Sequence, residues 1–234
     1  TFKKTSKFFD VVTYSGNGSN RNISHNLGSV PGMIIIRNRD ITRDSVVYHR
    51  EGGGLNNGGV EIDANARELY LNENYAAQTT TTRFQSTTPT DSVFSVDNSS
   101  LVNASGSNYV AYLFGHQGNN DADALISCGS YTGNGAALGA LVDIGFEPQL
   151  VMVKFVGATQ GSHSNNGDWH VFDNIRGLHG MNVMANIDRG QTNELVWNDN
   201  ADEDAANGGV QVNAKGFHPC GTEKNANNEK FIYM

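Results

Sequence analysis

The sequence has little of what marks a disulfide-bonded, membrane-spanning or nucleic-acid-binding protein. Its 234 residues include two cysteines, four prolines and 17% charged residues, and the net charge is -8. No apolar run approaches the roughly 20 residues of a transmembrane helix. An acidic chain also lacks the cationic face that phosphates and anionic lipids require. These shortages predict a protein that neither inserts into a membrane nor binds nucleic acid.

The two cysteines, Cys128 and Cys220, leave their pairing open. Two thiols in a chain of this length are more often buried and reduced than joined. No Cys-x-x-Cys motif supports a zinc or redox site. The chain shows no signal peptide and begins at Thr1 without an initiator methionine. We therefore expect it to be a fragment of a longer protein.

Glycine (27 residues) and asparagine are abundant, which indicates many turns and argues against a helical bundle. The pattern Tyr-x-Gly-Asn-Gly occurs twice, at 14–18 and 131–135, and each copy leads to a Pro followed by an apolar strand. This spacing predicts the duplication of a whole domain or half-domain. The expected boundaries are 1–116 and 124–234, with 117–123 as a linker; the two repeats can also pack as one unit.

Short runs rich in Val, Ile, Tyr and Phe, bounded by Gly, Asn or Ser, predict strand after strand. The expected strands are 8–14, 33–37, 46–49, 68–72, 92–96, 109–114, 125–131, 150–156, 169–172, 182–186, 194–198, 210–213 and 230–234. Only the segment 173–180 suggests a helical turn. The pattern predicts an all-β fold, an antiparallel β-sandwich or jelly roll made of two related halves.

The Gly-Asn-Gly triplets favour a structural interpretation over a chemical one. Asn-Gly is the best natural pair for the centre of a tight hairpin turn. We therefore expect Tyr14 and Tyr131 each to end a strand that folds straight back. No phosphate-binding loop or dinucleotide fingerprint accompanies either triplet.

Catalytic and metal-binding motifs find little support, and no catalytic or cofactor-binding residue is predicted. The sequence has no Gly-x-Ser-x-Gly and no His-Glu-x-x-His. His163, His170 and His179 lie near one another in sequence and could suit a metal. His170 belongs to a strand-like run, however, where a packing role is more common.

The acidic stretch 198–204 is the most distinctive polar segment of the second half. Its spacing fails the EF-hand pattern, so an irregular calcium site at Asp199, Asp202 and Asp204 is the weaker interpretation and a solvated loop the stronger. The stretch follows an indole, and indoles stack on sugar rings. Possible receptor or glycan contacts are therefore Trp169, Trp197, Asp199 and Asn200.

Several motifs taken together resemble a repeat module of tailed bacteriophages, common in marine and cyanobacterial phages. They are the two Tyr-x-Gly-Asn-Gly copies, the run Ile23–Ile35, the segments 69–72, 93–96 and 102–114, and the second-half segments 145–148, 172–176 and 231–234. The resemblance covers nearly the whole chain. The second half carries long insertions around 157–167 and 199–209, where a partner-specific surface is expected because loops vary while the sandwich persists.

The resemblance implies a non-enzymatic virion structural protein, from a tail fibre or receptor-binding segment, that mediates attachment to a host-surface glycan or protein. It implies other virion proteins as partners and a homo-oligomer, a trimer in fibres, assembled in the host cytoplasm. Two alternatives stay open. One is a capsid decoration, connector or fibre-shaft protein without receptor binding, and the other is a glycan depolymerase with a pair of carboxylates in a groove.

Overall fold

The computed structural model describes residues 3–52, 54–55, 61–62, 67–75, 77–79, 83–156, 167–175, 178–180, 193–198, 204–205 and 209–234. The strands of the first half are β1 (Phe9–Ser15), β2 (Arg21–Ser24), β3 (Met33–Asn38), β4 (Val46–His49), β5 (Gly54–Leu55), β6 (Glu61–Ile62), β7 (Arg67–Tyr70), β8 (Gln78–Thr79), β9 (Val93–Val96) and β10 (Asn108–Phe114).

Fourteen residues separate β10 from the first strand of the second half. Its elements are β11 (Gly129–Thr132), β12 (Val142–Asp143), β13 (Leu150–Phe155), β14 (Trp169–Asp173), β15 (His179–Gly180), β16 (Asn193–Val196), β17 (Asp204–Ala205), β18 (Val210–Asn213), β19 (Gly216–Pro219), α1 (Gly221–Lys224) and β20 (Lys230–Tyr233). The all-β class is confirmed. In the part of the chain that the structure describes, no helix is long and apolar enough to span a membrane.

The large sheets of the two halves have matching strand orders. A six-stranded sheet in the first half runs β1-β10-β3-β4-β7-β8, and one in the second half runs β11-β20-β13-β14-β16-β17. In each sheet the first strand of the half pairs with its last strand, so the ends of each half meet. The register aligns Tyr14 opposite Tyr109 with Tyr131 opposite Phe231, which defines equivalent positions.

Each large sheet packs its inner face on a smaller sheet, which produces a sandwich in each half. The smaller sheets are β2-β9 in the first half and β12-β19-β18-β15 in the second, where β15 and β18 form a parallel pair. Ile34 and Ile36 belong to the first core, and Val151 and Val153 to the second. Because successive side chains of a strand point to opposite faces, their neighbours in β3 and β13 must be covered from the other side.

The two large sheets pack against each other through the faces that are turned away from the small sheets. Met33, Ile35 and Val47 pack in one buried cluster with Met152 and Val171 from the second half. Strands buried on both faces read as continuous apolar runs rather than alternating ones, which explains the uninterrupted buried apolar segments at 33–36 and 151–153. Apart from the short β5-β6 pair, the described sheets thus form four layers, with a small sheet outside each of the two large ones.

Most predicted strands exist within a residue or two of their expected bounds, but four predictions need comment. The strand expected at 125–131 spans only Gly129–Thr132. The expected helical turn after Asp173 is wrong for its described residues, which form a turn and then β15, and the short helix lies at Gly221–Lys224 instead. The strand expected at 182–186 lies outside the described residues. The four-residue strands β2 and β19 were not expected, and neither were the two-residue strands β5, β6, β8, β12, β15 and β17.

The hairpin interpretation of Gly-Asn-Gly is wrong. β1 pairs with β10 and β2 pairs with β9, so the triplet carries the chain from one sheet to another instead of folding it back. Within the two triplets, only the last glycines, Gly18 and Gly135, adopt positive φ (both 69°), and the asparagines do not. A tight hairpin of this type would require positive φ at both central residues.

Candidate functional site

A buried asparagine from a distant segment holds each Gly-Asn-Gly triplet. The side chain of Asn103 accepts a hydrogen bond from the Asn17 backbone N–H (3.1 Å) and donates to the Asn17 side-chain oxygen (3.1 Å). It also donates to Ser19 O (2.6 Å) and Asp97 O (2.9 Å). Sequence reasoning missed this asparagine because it lies 86 residues from its partner.

The second half repeats the arrangement. Asn225 accepts from the Asn134 backbone N–H (3.0 Å) and donates to Asn134 Oδ1 and Ala136 O, each at 2.7 Å. The first glycine of each triplet passes close to the backbone beside this asparagine, because a Cβ on Gly133 would lie 2.1 Å from Ala226 O. We call this pairing the asparagine clasp. It joins the end of the first strand of each half to the segment that leads into the last strand.

A buried glutamate occupies the same register position in both large sheets, Glu68 in β7 and Glu194 in β16. Glu194 contacts Lys224 Nζ at 3.0 Å and His170 Nδ1 at 3.1 Å. Burial raises the pKa of Glu194, but the hydrogen bonds and charges of His170 and Lys224 outweigh burial and leave it below its ordinary value. His170, one of three histidines considered for a metal, is therefore engaged in an intrachain pair. His163 lies outside the described residues, and the side chain of His179 is not described.

The described ends of the two second-half insertions lie side by side. Asn198 Nδ2 donates to Asp168 Oδ1 (2.7 Å), and Asn198 Oδ1 accepts from the Trp169 backbone N–H (2.8 Å). The Trp197 N–H donates to Trp169 O at 2.9 Å. Residue 168 directly follows the first insertion, and residue 198 directly precedes the second. The same point of the sheet therefore supports both insertions.

The first half contributes to this surface. A Cβ on Gly167, which has φ of +101°, would lie 2.5 Å from Asn74 O and 3.2 Å from Tyr75 O. Tyr75 is 51% exposed and Trp197 is 49% exposed. We call Tyr75, Asp168, Trp197 and Asn198 the junction surface. Tyr75 was not predicted, because its sequence neighbours give no sign that the second half lies beside it.

The predicted contact at Trp169 is wrong. Its indole is 2% exposed in the cluster between the large sheets, and Nε1 donates to Tyr70 O (2.8 Å). A buried ring has no face free for a sugar. Trp197 does present its side chain to solvent.

The remaining predicted site residues are not described fully enough to be judged. Asp199, Asn200 and Asp202 lie outside the described residues, and Asp204 is described only as the backbone of β17. Within the described part of the chain, no three His, Cys, Asp or Glu side chains are placed to hold a metal ion.

A fully buried lysine supports the junction surface from below. Lys154 Nζ donates to Gly167 O and lies 5.1 Å from the centroid of the Trp169 ring. Burial lowers the pKa of Lys154 to about 7, and the nearby Asp168 carboxylate acts in the opposite direction. A cation over an indole face is a favourable contact that strengthens when water is excluded.

A buried histidine of the first half is hydrogen-bonded to the last strand of the second half. His49 Nε2 donates to Tyr233 O (3.0 Å), and His49 Nδ1 accepts from the Glu51 N–H (3.1 Å), which together define the neutral tautomer. Burial lowers the pKa of His49 to about 3. The thiols of Cys128 and Cys220 are buried and are not joined in a disulfide, which is the state that the sequence favoured.

The comparisons with known proteins identify one family. No curated protein and no solved structure matches the chain. The family described as "Domain of unknown function (DUF7483)" matches residues 3–234. Because this match covers nearly every residue, the chain belongs to the DUF7483 family.

Proposed function

We propose that this chain is a non-enzymatic structural module of a bacteriophage virion, in a tail fibre or receptor-binding segment, and that its junction surface contacts a host-surface glycan. The observation that carries the proposal is the pair of exposed aromatic side chains, Tyr75 and Trp197, beside the point where two insertions leave one sheet. The resemblance of the chain's motifs to phage repeat modules supports the same role.

The support beneath the junction surface suits a binding role. Tyr and Trp side chains offer large rigid contact areas with a polar end, and they are enriched at binding hot spots. Asp168 and Asn198 hold each other in place, and Trp169 and Lys154 pack underneath. A surface fixed before binding loses little conformational entropy when a ligand arrives.

The buried charged groups also fit a structural role. Glu194 is bound to Lys224 and His170, and Glu68 to Arg83 at 2.9 Å. Carboxylates held in such buried pairs contribute to the stability of the scaffold. Individual glycan contacts are weak, and presentation of several copies, as in a trimeric fibre, would raise their avidity.

Binding to an array of bacterial surface polysaccharides tests the proposal. We expect Trp197→Ala and Tyr75→Ala each to weaken retention by about tenfold or more, the loss typical of an aromatic hot spot. Ile175→Ala is the matched control, because Ile175 is 92% exposed and lies outside the junction surface. Equal retention by all three variants would contradict the proposal for this surface.

A second experiment separates attachment from the alternatives. Antibodies raised against the purified chain should label virions and block adsorption. Labelling without a block would instead favour a decoration, connector or shaft role. Release of reducing ends from a bound polysaccharide would favour a depolymerase.

A further inference from the structure

The two halves differ at the free edge of their large sheets. In β1, the hydrogen bonds Gly16 N–H to Ser107 O and Gly115 N–H to Phe8 O show that the even-numbered residues bond to β10. The main-chain groups of the odd-numbered residues therefore point away from the sheet. Two of these outward carbonyls are covered by cations. Lys4 Nζ donates to Val11 O (2.6 Å), and the Arg21 guanidinium donates to Ser15 O (2.5 Å).

Arg21 also covers a ring beside this edge. Its Cζ lies 5.3 Å from the centroid of Tyr14. Tyr14 stacks on Tyr109 (5.3 Å, 15°) and meets Phe94 edge to face (6.5 Å). Its hydroxyl donates to Val102 O at 2.6 Å. Arg21 belongs to β2, so it bridges from the small sheet to the edge of the large one.

The second half reproduces these contacts without the cation. Tyr131 stacks on Phe231 (5.2 Å, 9°) and meets Phe217 edge to face (6.0 Å), and its hydroxyl donates to Lys224 O (2.6 Å). The bond from Gly133 N–H to Glu229 O directs the main-chain groups of Ser130 and Thr132 outward. Among the described residues, no cation lies over Tyr131 or donates to Thr132 O.

An open cleft occupies the place that Arg21 fills in the first half. It measures about 270 Å³ and lies between the edges of β11 and β12. The residues that line it include Ser130, Tyr131, Thr132, Leu141 and Asp143. Both walls are strand edges, because β11 and β12 each stand at the end of their sheet. Asp143 brings a negative charge to the second wall.

We propose that this cleft binds an extended, arginine-bearing segment of another polypeptide chain, which adds to the edge of β11 and places its guanidinium over Tyr131 as Arg21 lies over Tyr14. Unpaired strand edges accept extended segments through main-chain hydrogen bonds, and side-chain pockets then supply specificity. Arginine fits better than lysine because its planar guanidinium can stack on an aromatic ring while its N–H groups donate hydrogen bonds within the plane of the guanidinium. The inference goes beyond the proposed function and does not depend on it.

The probe is a fluorescein-labelled peptide with the chain's own sequence at 18–24, Gly-Ser-Asn-Arg-Asn-Ile-Ser. A peptide with Ala in place of Arg is the control. In a titration at low ionic strength, we expect the Arg peptide to shift the amide resonances of Ser130, Thr132, Leu141 and Asp143. We expect the Ala peptide to bind about fivefold more weakly, the loss that one cation–π contact predicts.

A matched pair of proline variants tests the edge itself. Ser130 and Thr13 hold equivalent outward positions on β11 and β1. Ser130→Pro removes an outward N–H and should weaken peptide binding about fivefold or more, whereas Thr13→Pro should leave it unchanged. Thermal melting verifies that both variants fold.

A third variant covers the case in which proline prevents folding. Asp143→Asn keeps the side-chain oxygen that accepts the Gly145 N–H at 3.0 Å. It should weaken the Arg peptide about threefold, as the loss of one partly exposed charge predicts, and leave the Ala peptide unaffected. Equal binding of the two peptides, or no binding of either, would overturn the proposal. Self-association of the chain through β11 without peptide binding would also overturn it and would assign the edge to a second copy.

Discussion

Glu68 and Glu194 hold the same position in the two halves but have different partners. Glu68 is bound by Arg83, which is 23% exposed, and by the Tyr70 hydroxyl at 2.5 Å. Glu194 is bound by Lys224, which is fully buried, and by His170. Burial raises the pKa of Glu68 despite its partners, whereas the pKa of Glu194 is lowered. The two halves therefore share a buried acid at the same position but differ in the cation that pairs with it.

The largest expected difference in stability between the two halves comes from removing the cations that pair with these acids, Lys224 and Arg83. We expect Lys224→Met to cost about 3–5 kcal/mol of unfolding free energy, because it leaves a buried carboxylate without its cation. Arg83→Met should cost about 1–2 kcal/mol, because Glu68 keeps the Tyr70 hydroxyl and its raised pKa makes protonation easier. Urea unfolding measures both.

A linked pH effect accompanies that difference. The depressed pKa of Glu194 contributes stability that is present above the acid's unfolded-state pKa and is lost as the pH falls through the folded one. The raised pKa of Glu68 acts in the opposite direction. Equal losses of unfolding free energy in Lys224→Met and Arg83→Met would contradict this comparison, because they would show that the two acids are stabilised in the same way.

The sequence predicted the scaffold better than the junction between its halves. Apolar runs such as Met33–Ile36 identify strands because the hydrophobic pattern of a strand is contained within a short stretch of sequence. The role of Asn17 depends on Asn103, and the burial of Trp169 depends on a sheet from the other half. Contacts between residues so far apart leave no periodic signal. An aromatic residue that follows a loop therefore looked exposed when it was in fact covered.

The asparagine clasp offers a comparison in which the halves should behave alike. We expect Asn103→Ala and Asn225→Ala each to cost about 3 kcal/mol, because each removes several bonds and leaves buried partners unsatisfied. Asn108→Ala is a suitable control, since Asn108 is also hydrogen-bonded but exposed. Chemical unfolding measures all three. If only one of the two variants lost stability, the two Gly-Asn-Gly motifs would have separate roles.

Lys154 and Arg37 are equivalent in the sheets, and only the lysine is buried. The pKa of Lys154 is about 7, below its ordinary value of 10.5. The unfolded chain therefore binds more protons than the folded one between these values, so stability should rise with pH by up to about 1.4 kcal/mol per unit. Lys154→Met should remove that rise, and Arg37→Met should not. Unfolding at pH 7, 8 and 9 measures the slopes.

Other titrating groups affect the parent protein and the Lys154→Met variant alike. The quantity to compare is therefore the difference between the slopes of their stability against pH. The Cys128 thiol, whose pKa burial raises to about 12, opposes the rise near the upper end of the range. An unchanged slope in Lys154→Met would mean that the amine reaches water in the folded protein.

The smallest expected effect comes from making the β1 edge resemble the β11 edge. Arg21→Ala removes the guanidinium from Ser15 O and from the Tyr14 ring, which should cost about 1 kcal/mol. It should also open a second cleft for the arginine peptide, so that calorimetry finds two sites per chain instead of one. Lys4→Ala leaves Arg21 over Tyr14 and should keep a single site. If Arg21→Ala also keeps a single site, then the cation is not what distinguishes the two edges, and the difference must lie in the strands β2 and β12.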